Sequence, residues 1–286
     1  MRMRREREEE IQQIRTQFAG MVARSEEQVD LAEATLLIAA EEYPHLDIGE
    51  YLDRIRRMAD RVKDRVSLEL DPLKLVEGLN DYLFKEEGFR GNSEDYYDLK
   101  NSFLNEVIDR RKGIPISLSI LYMEIAWRLE LPLVGVGLPG HFIVKYETAD
   151  RKILIDPFHR GVLLSEEDCQ RTLDRIYAEK IAFHRGLLTP MTKRSILART
   201  LNNLKGIYLH RKDFPRALGV VERLLLIHPD SPTELRDRGL IYGQMNKIPQ
   251  AIADLRGYLE AVKEADDREA IGTHLRHLQM RQASRN

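Results

Sequence analysis

The chain has 286 residues, 43% of them hydrophobic and 32% charged, with a formal net charge of -2. That length accommodates one large or two ordinary domains, each able to bury a core without staples. The charge balance supplies no global basic field, so nucleic acid is not an expected partner. A single cysteine, Cys169, excludes an internal disulfide; with eight scattered histidines it also argues against a structural zinc site, and no metal or cofactor is expected. No apolar run approaches the ~18 residues of a membrane span, and the opening MRMRREREEE has no apolar leader, so a cytoplasmic protein without a membrane partner is expected.

Residues 2–20 alternate arginine and glutamate around Ile11, Ile14 and Phe18, the spacing of a charged helix with a thin apolar stripe. Residues 1–28 are taken as that charged segment. A clearer helix follows Asp30 through Leu31, Ala34, Leu37 and Ile38, ending near Tyr43 and Pro44, because proline cannot continue it. Asp47 is placed to cap a second helix with Tyr51, Ile55, Met58, Ala59 and Val62 on one face, and Asp71-Pro72 opens a third that runs to Phe84. Gly88 to Leu99 is rich in turn formers and reads as an ordered loop, with Tyr96 and Tyr97 either functional or anchoring. Asn101 or Ser102 is expected to cap a helix through Phe103, Leu104, Val107 and Ile108 that closes on Arg110, Arg111 and Lys112, cations suited to a helix C-terminus.

Ile116 to Leu129 is apolar nearly all round, which marks a buried helix. Val134–Leu138, Phe142–Tyr146 and Ile153–Ile155 are short and rich in branched or aromatic residues, and read as strands of one small antiparallel sheet packed on that helix. Leu164 to Glu179 then returns to helix, starting at Ser165 with three acidic residues in its first turn. Leu188-Thr189-Pro190 marks the expected boundary between a domain at 29–189 and a helical one at 190–286. In the latter, segments starting at Ala198 and Pro232 repeat with a period of 34: Leu201 matches Leu235, Tyr208 matches Tyr242, Ala217 matches Ala251 and Val221 matches Leu255. Gly239 has no aligned partner, since Lys205 stands in its place and Gly206 one residue later.

Within the middle of the chain, His141 follows a Leu138-Pro139-Gly140 turn and Asp156 ends the next strand. In an antiparallel hairpin the two become neighbours, and the aspartate is then placed to orient an imidazole or simply to satisfy it.

These residues carry a resemblance. The order of a glycine-led buried helix, a proline-bearing segment about 15 residues later, a His strand and an Asp-Pro strand is similar to the transglutaminase-like cysteine protease fold, and the second half resembles tetratricopeptide repeats. As a whole the chain resembles the bacterial SirB-type family, through Leu31-Ala32 to Tyr43-Pro44, Gly113-Ile114-Pro115-Ile116-Ser117-Leu118-Ser119, Gly135 to Phe142 and Asp156-Pro157-Phe158. The resemblance implies an α+β fold: a helical N-terminal part and a small antiparallel sheet forming a papain-like core, followed by all-α tetratricopeptide-like repeats. It also implies that His141 and Asp156 occupy two triad places and that Pro115 stands where the thiol nucleophile belongs. Proline has no nucleophilic group, so thiol acyl transfer is impossible there. The expected function is a non-catalytic interaction or regulatory protein with a protein or peptide partner. The alternative is a peptidase or amidase-type hydrolase using Ser117 or Ser119 as nucleophile. At ~100° per residue Ser119 lies nearly above position 115, one turn deeper, while Ser117 projects to another side. Either hydroxyl can instead cap the helix, and Cys169, outside the motif, reads as an inert helical residue.

Overall fold

A computed structural model of the chain describes residues 2–66, 71–178 and 180–284, with side chains from Glu6 onward. It divides into two compact units, Met1–Thr200 and Leu201–Asn286.

In the first unit the helices are α1 (Arg2–Val22), α2 (Leu31–Ala40), α3 (Ile48–Lys63), α4 (Pro72–Asn80), α5 (Leu104–Arg110), α6 (Pro115–Arg128) and α7 (Glu166–Tyr177). The capping residues read from the sequence act at three of these starts. Asp30 accepts from Glu33 N, Asp47 from Glu50 N and Asp71 from Leu73 N, each at 2.8 to 3.0 Å, satisfying amides that a helix leaves unpaired. Ser165 caps α7 in a reciprocal box with Asp168. The expected end of that helix at Glu179 lies outside the described residues. One turn of π-helix, Asp81–Glu86, carries α4 on to the chain's first wide loop.

Helix α6 is the centre of this unit. Every residue from Pro115 to Ala126 is buried, and the helix packs against α2, α3 and α5 as well as the sheet. Burying an all-round apolar helix requires partners on every side. Helix α2 is buried almost as fully, with only Glu33 partly exposed. The two meet at a polar contact: Glu124 of α6 accepts a 2.9 Å hydrogen bond from Ala32 N in the first turn of α2 and a 2.5 Å bond from Arg128. Burial pushes the Glu124 pKa up, and Arg128 and Ala32 N counter it. Helix α1 differs from the thin-striped, solvated helix expected from its charge: Phe18 is fully buried, Ile14 and Met21 nearly so, and α1 packs on α2 with Arg15 paired to Glu41 at 2.9 Å.

The sheet has five antiparallel strands in the order β6-β5-β4-β3-β7, where β3 is Leu133–Val136, β4 Ile143–Glu147, β5 Lys152–Asp156, β6 Val162–Leu164 and β7 Pro190–Met191. Only the central three were legible as strands. The edges were missed because β6 is three residues and β7 two, too short to display a period-2 pattern, and Leu164 consequently sits in a strand and not in the following helix. Cys169 of α7 packs on this sheet with Val136, Leu138 and Leu154. A separate two-residue parallel pair, β1 (Arg90–Gly91) with β2 (Lys112–Gly113), ties the long loop to the entry of α6.

Asn101 and Ser102 do not cap α5. Phe103 takes the N-cap position without a side-chain bond, and Asn101 instead pins the preceding loop, donating to Asp95 O at 2.7 Å and accepting from Asn92 at 3.0 Å. A buried carboxamide saturates its bonds best among loop carbonyls, and this loop offers them. The basic cluster after α5 is paired: Arg110 with Asp98 and Arg111 with Glu87, at 3.0 and 2.9 Å.

Helix α8 (Lys193–His210) begins in the first unit and ends in the second, which continues with α9 (Phe214–Ile227), α10 (Pro232–Gln244), α11 (Ile248–Ala261) and α12 (Arg268–Ala283). The matched positions are structural equivalents: Ala217 and Ala251 are fully buried, as are Val221 and Leu255. Helix α12 covers α11 through Ile271, Leu275 and Leu278, closing the repeat array. At Gly239 a Cβ would sit 2.8 Å from Leu255 Cδ2, so the residue lets α10 approach α11 closely. Lys205, which replaces that glycine in the first repeat, bonds Glu234 and Asp237 at 2.9 and 2.8 Å. No described helix is long and apolar enough to cross a membrane.

The two glycines therefore separate in a denaturant titration. Gly239→Ala is expected to lower stability by about 1–2 kcal/mol through overpacking, whereas Gly206→Ala, with nothing within 4 Å of its Cβ, should raise it by about 0.5–1 kcal/mol through helix propensity.

Candidate functional site

The turn Leu138-Pro139-Gly140-His141 begins the site. Proline supplies the fixed φ of the second turn position and Gly140 the positive φ of the third, +68°, and His141 N closes the turn on Leu138 O at 3.1 Å. A side chain at Gly140 would meet both that strain and Ile176 Cγ2 at 2.8 Å. The turn is clamped from behind by Arg199 of α8, whose Nη2 donates to Leu138 O at 2.9 Å and His141 O at 2.7 Å while the guanidinium lies over the Phe142 ring. Burial lowers the Arg199 pKa from its ordinary value.

Strands β4 and β5 pair with Val144 opposite Ile155, which carries Asp156 to the same end of the sheet as the turn. His141 Nε2 lies 2.7 Å from Asp156 Oδ2, and both residues are buried. The neighbours inferred from a hairpin are thus in direct contact. A third group joins them that sequence reasoning did not single out: His159 Nδ1 lies 2.7 Å from the same Oδ2. Its signal was the spacing Asp156-Pro157-Phe158-His159, a short turn that returns the fourth side chain to the first. Asp156 Oδ1 is occupied by Phe158 N at 3.0 Å and His159 N at 3.2 Å, so the carboxylate has four polar partners. Burial alone would raise the Asp156 pKa; hydrogen bonds from His141 and His159 outweigh it and hold the carboxyl well below the usual range. The hydrogen bond to Asp156 raises the His159 pKa against a smaller opposing effect of burial.

The surroundings are aromatic. Phe158 presents its ring edge-on to His141 with centroids 6.1 Å apart, and Tyr96 packs on Phe158 at 6.2 Å, while Tyr97 is largely exposed. Of the two loop tyrosines, Tyr96 is therefore the anchor. Beside His159 an open cavity of about 400 Å³ is lined by Arg90, Asn92, Glu94, Lys112, Phe158 and Arg160, among others.

Pro115 occupies the first turn of α6 and is buried. Ser117 Oγ accepts from Ile114 N at 3.1 Å and donates to Asn101 O at 2.6 Å, so it secures the helix start and links it to the loop. Ser119 is fully buried and its hydroxyl has no partner among the described residues. Neither serine hydrogen-bonds His141 among the described residues. Cys169 is buried in α7, where burial pushes its thiol up to about 11, far from the thiolate character a nucleophile requires.

Comparisons with known proteins agree with this layout. The transglutaminase-like superfamily model matches residues 49–202 and the tetratricopeptide repeat model residues 204–276. The chain is 36% identical over 254 residues to a UPF0162 protein of Xylella fastidiosa, covering 87% of this chain and 90% of that one. It is 31% identical over 196 residues to a UPF0162 protein of Vibrio cholerae, covering 68% and 72%. It is 30% identical over 239 residues to Protein SirB1 of Salmonella typhimurium, covering 82% and 88%.

Arg199 holds the backbone of the turn that carries His141 through two carbonyls. Replacing it by Met keeps much of the bulk but leaves both carbonyls without their charged donor, and Arg199→Met is expected to cost about 2 kcal/mol in urea unfolding.

Proposed function

The chain belongs to the transglutaminase-like superfamily, in the family of SirB1 and UPF0162 proteins, and from that premise we propose that it is a non-catalytic interaction or regulatory protein of the cytoplasm. One observation supports the reading: at the start of α6, where the resemblance puts the thiol nucleophile, stands Pro115, and the nearest hydroxyl along that helix, Ser117, is already bonded to backbone. A serine that accepts from one amide and donates to a carbonyl has no proton left to give to a base. Ser119 is no better placed, since a fully buried hydroxyl with no base bonded to it lacks activation as well as access.

The retained His141–Asp156 pair has a sufficient structural role. Asp156 closes β5, receives two backbone amides and anchors His141 at the head of β4, so the pair holds the turns at one end of the sheet. The cavity beside it offers a site for a peptide segment, with Arg90 and Arg160 suited to acidic groups and Lys112 shared with Glu94. The tetratricopeptide unit adds a protein-interaction module, since such repeats commonly present an extended surface to a polypeptide.

The reading is tested by activity and not by binding alone. Purified wild type and His141→Ala are assayed against thioester, ester, amide and peptide substrates. Both are expected to stay at the uncatalysed rate. A wild-type hydrolysis rate that fell at least 100-fold in His141→Ala, with the circular dichroism spectrum unchanged, would sink the proposal and restore a serine mechanism.

A further inference from the structure

His141, Asp156 and His159 come from three successive pieces of chain: the turn before β4, the end of β5 and the turn leading to β6. Each offers one potential ligand atom, the imidazole nitrogens on release of the protons they now direct at the carboxylate, and the three atoms lie within 4.8 Å of one another. Both imidazoles aim a nitrogen at the same carboxylate oxygen, Asp156 Oδ2, at 2.7 Å. The other oxygen is fixed by two backbone amides, so the carboxylate cannot rotate away.

From this we infer that the three side chains form a binding site for one divalent transition-metal ion. Two imidazoles and one carboxylate are a ligand set for first-row metals such as zinc, cobalt, nickel or iron(II), and a thiol is not needed. Metal–nitrogen and metal–oxygen bonds of about 2.0–2.2 Å put neighbouring donors of a tetrahedral ion roughly 3.3–3.6 Å apart, so each imidazole nitrogen has to draw back by roughly 0.6–0.9 Å from the 2.7 Å it now keeps to Asp156 Oδ2. The amides on Oδ1 supply the outer support that orients a ligating carboxylate. Access is built in as well: His141 and Asp156 are 6% and 2% exposed, but His159 is 49% exposed and lines the 400 Å³ cavity, so an ion can enter along its ring. Three protein ligands leave further coordination positions for water or for a donor from a bound molecule. The sequence alone argued against a metal because the histidines are scattered; the fold brings two of the eight together.

This inference does not depend on whether the unit is catalytic, and its test reads occupancy. Untagged full-length protein, stripped with chelator and held near pH 7.5, is titrated with Co²⁺ and followed by its visible absorption, then by competition with Zn²⁺. One equivalent should bind, zinc should displace it, and the affinity should fall at least tenfold in His159→Ala and be unchanged in His184→Ala. In a second measurement, bound Co²⁺ should give the ring protons of His141 and His159 the large contact shifts of metal ligands and no other histidine shifts of that size, which decides the matter in the wild type even if a variant fails to fold. Absence of stoichiometric binding, equal binding by His159→Ala, or ligand-sized shifts at other histidines in place of these two would overturn the site.

Discussion

The constraint on which the first unit rests is the burial of α6. A helix with no solvent-facing side cannot be stabilised by one partner, so the sheet must cover one flank while α2, α3 and α5 cover the others. Twelve consecutive residues, Pro115 to Ala126, are buried as a result. Two of its buried polar side chains are satisfied locally: Glu124 is held by Arg128 and by the first turn of α2, and Ser117 by Asn101 O and Ile114 N. Both are contacts between α6 and another segment, so the polar atoms fix the register of packing that the apolar surface alone would leave loose.

The site inherits its precision from the same arrangement. The start of α6 is joined to the long loop through Asn101 and the β1–β2 pair, and that loop delivers Tyr96 onto Phe158, which in turn packs on His141. From the other side Arg199 holds the backbone of the turn. His141 is thus positioned by its ring contacts and by its own carbonyl at once. Such double restraint keeps a side chain in one rotamer whether or not chemistry follows.

Legibility in the sequence followed length and periodicity. The helices α2, α3 and α6 announce themselves because their apolar residues repeat over several turns and Asp30 and Asp47 have few other roles before a helix. The His141–Asp156 contact was legible because a hairpin converts sequence separation into proximity, and Gly239 because a repeat gives it a reference position. What was hidden depended on contacts between distant segments. Arg199 reaches back 58 residues to His141 O, and nothing in its local context distinguishes it from a surface arginine. Asn101 has the composition of a cap but meets loop carbonyls that are nearer and better aligned. The stripe of α1 likewise gives no measure of its depth, since the partner that buries Phe18 is α2.

The contact between His141 and Asp156 has a structural reason that holds whatever the chemistry of the site. Removing one partner of a buried hydrogen-bonded carboxylate costs about 1–3 kcal/mol, because a bonding position of the buried group is left unsatisfied. Asp156 is 2% exposed and its carboxylate is shared among two imidazoles and two amides, so changing His141 would disturb β4, β5 and the following turn together. Position 115 carries no such burden. Its residue need only start a helix, and proline does so well, having the required φ and no amide to satisfy. Pro115 thus starts α6 free of the ties that bind His141, Asp156 and His159, which are organised around a single carboxylate oxygen.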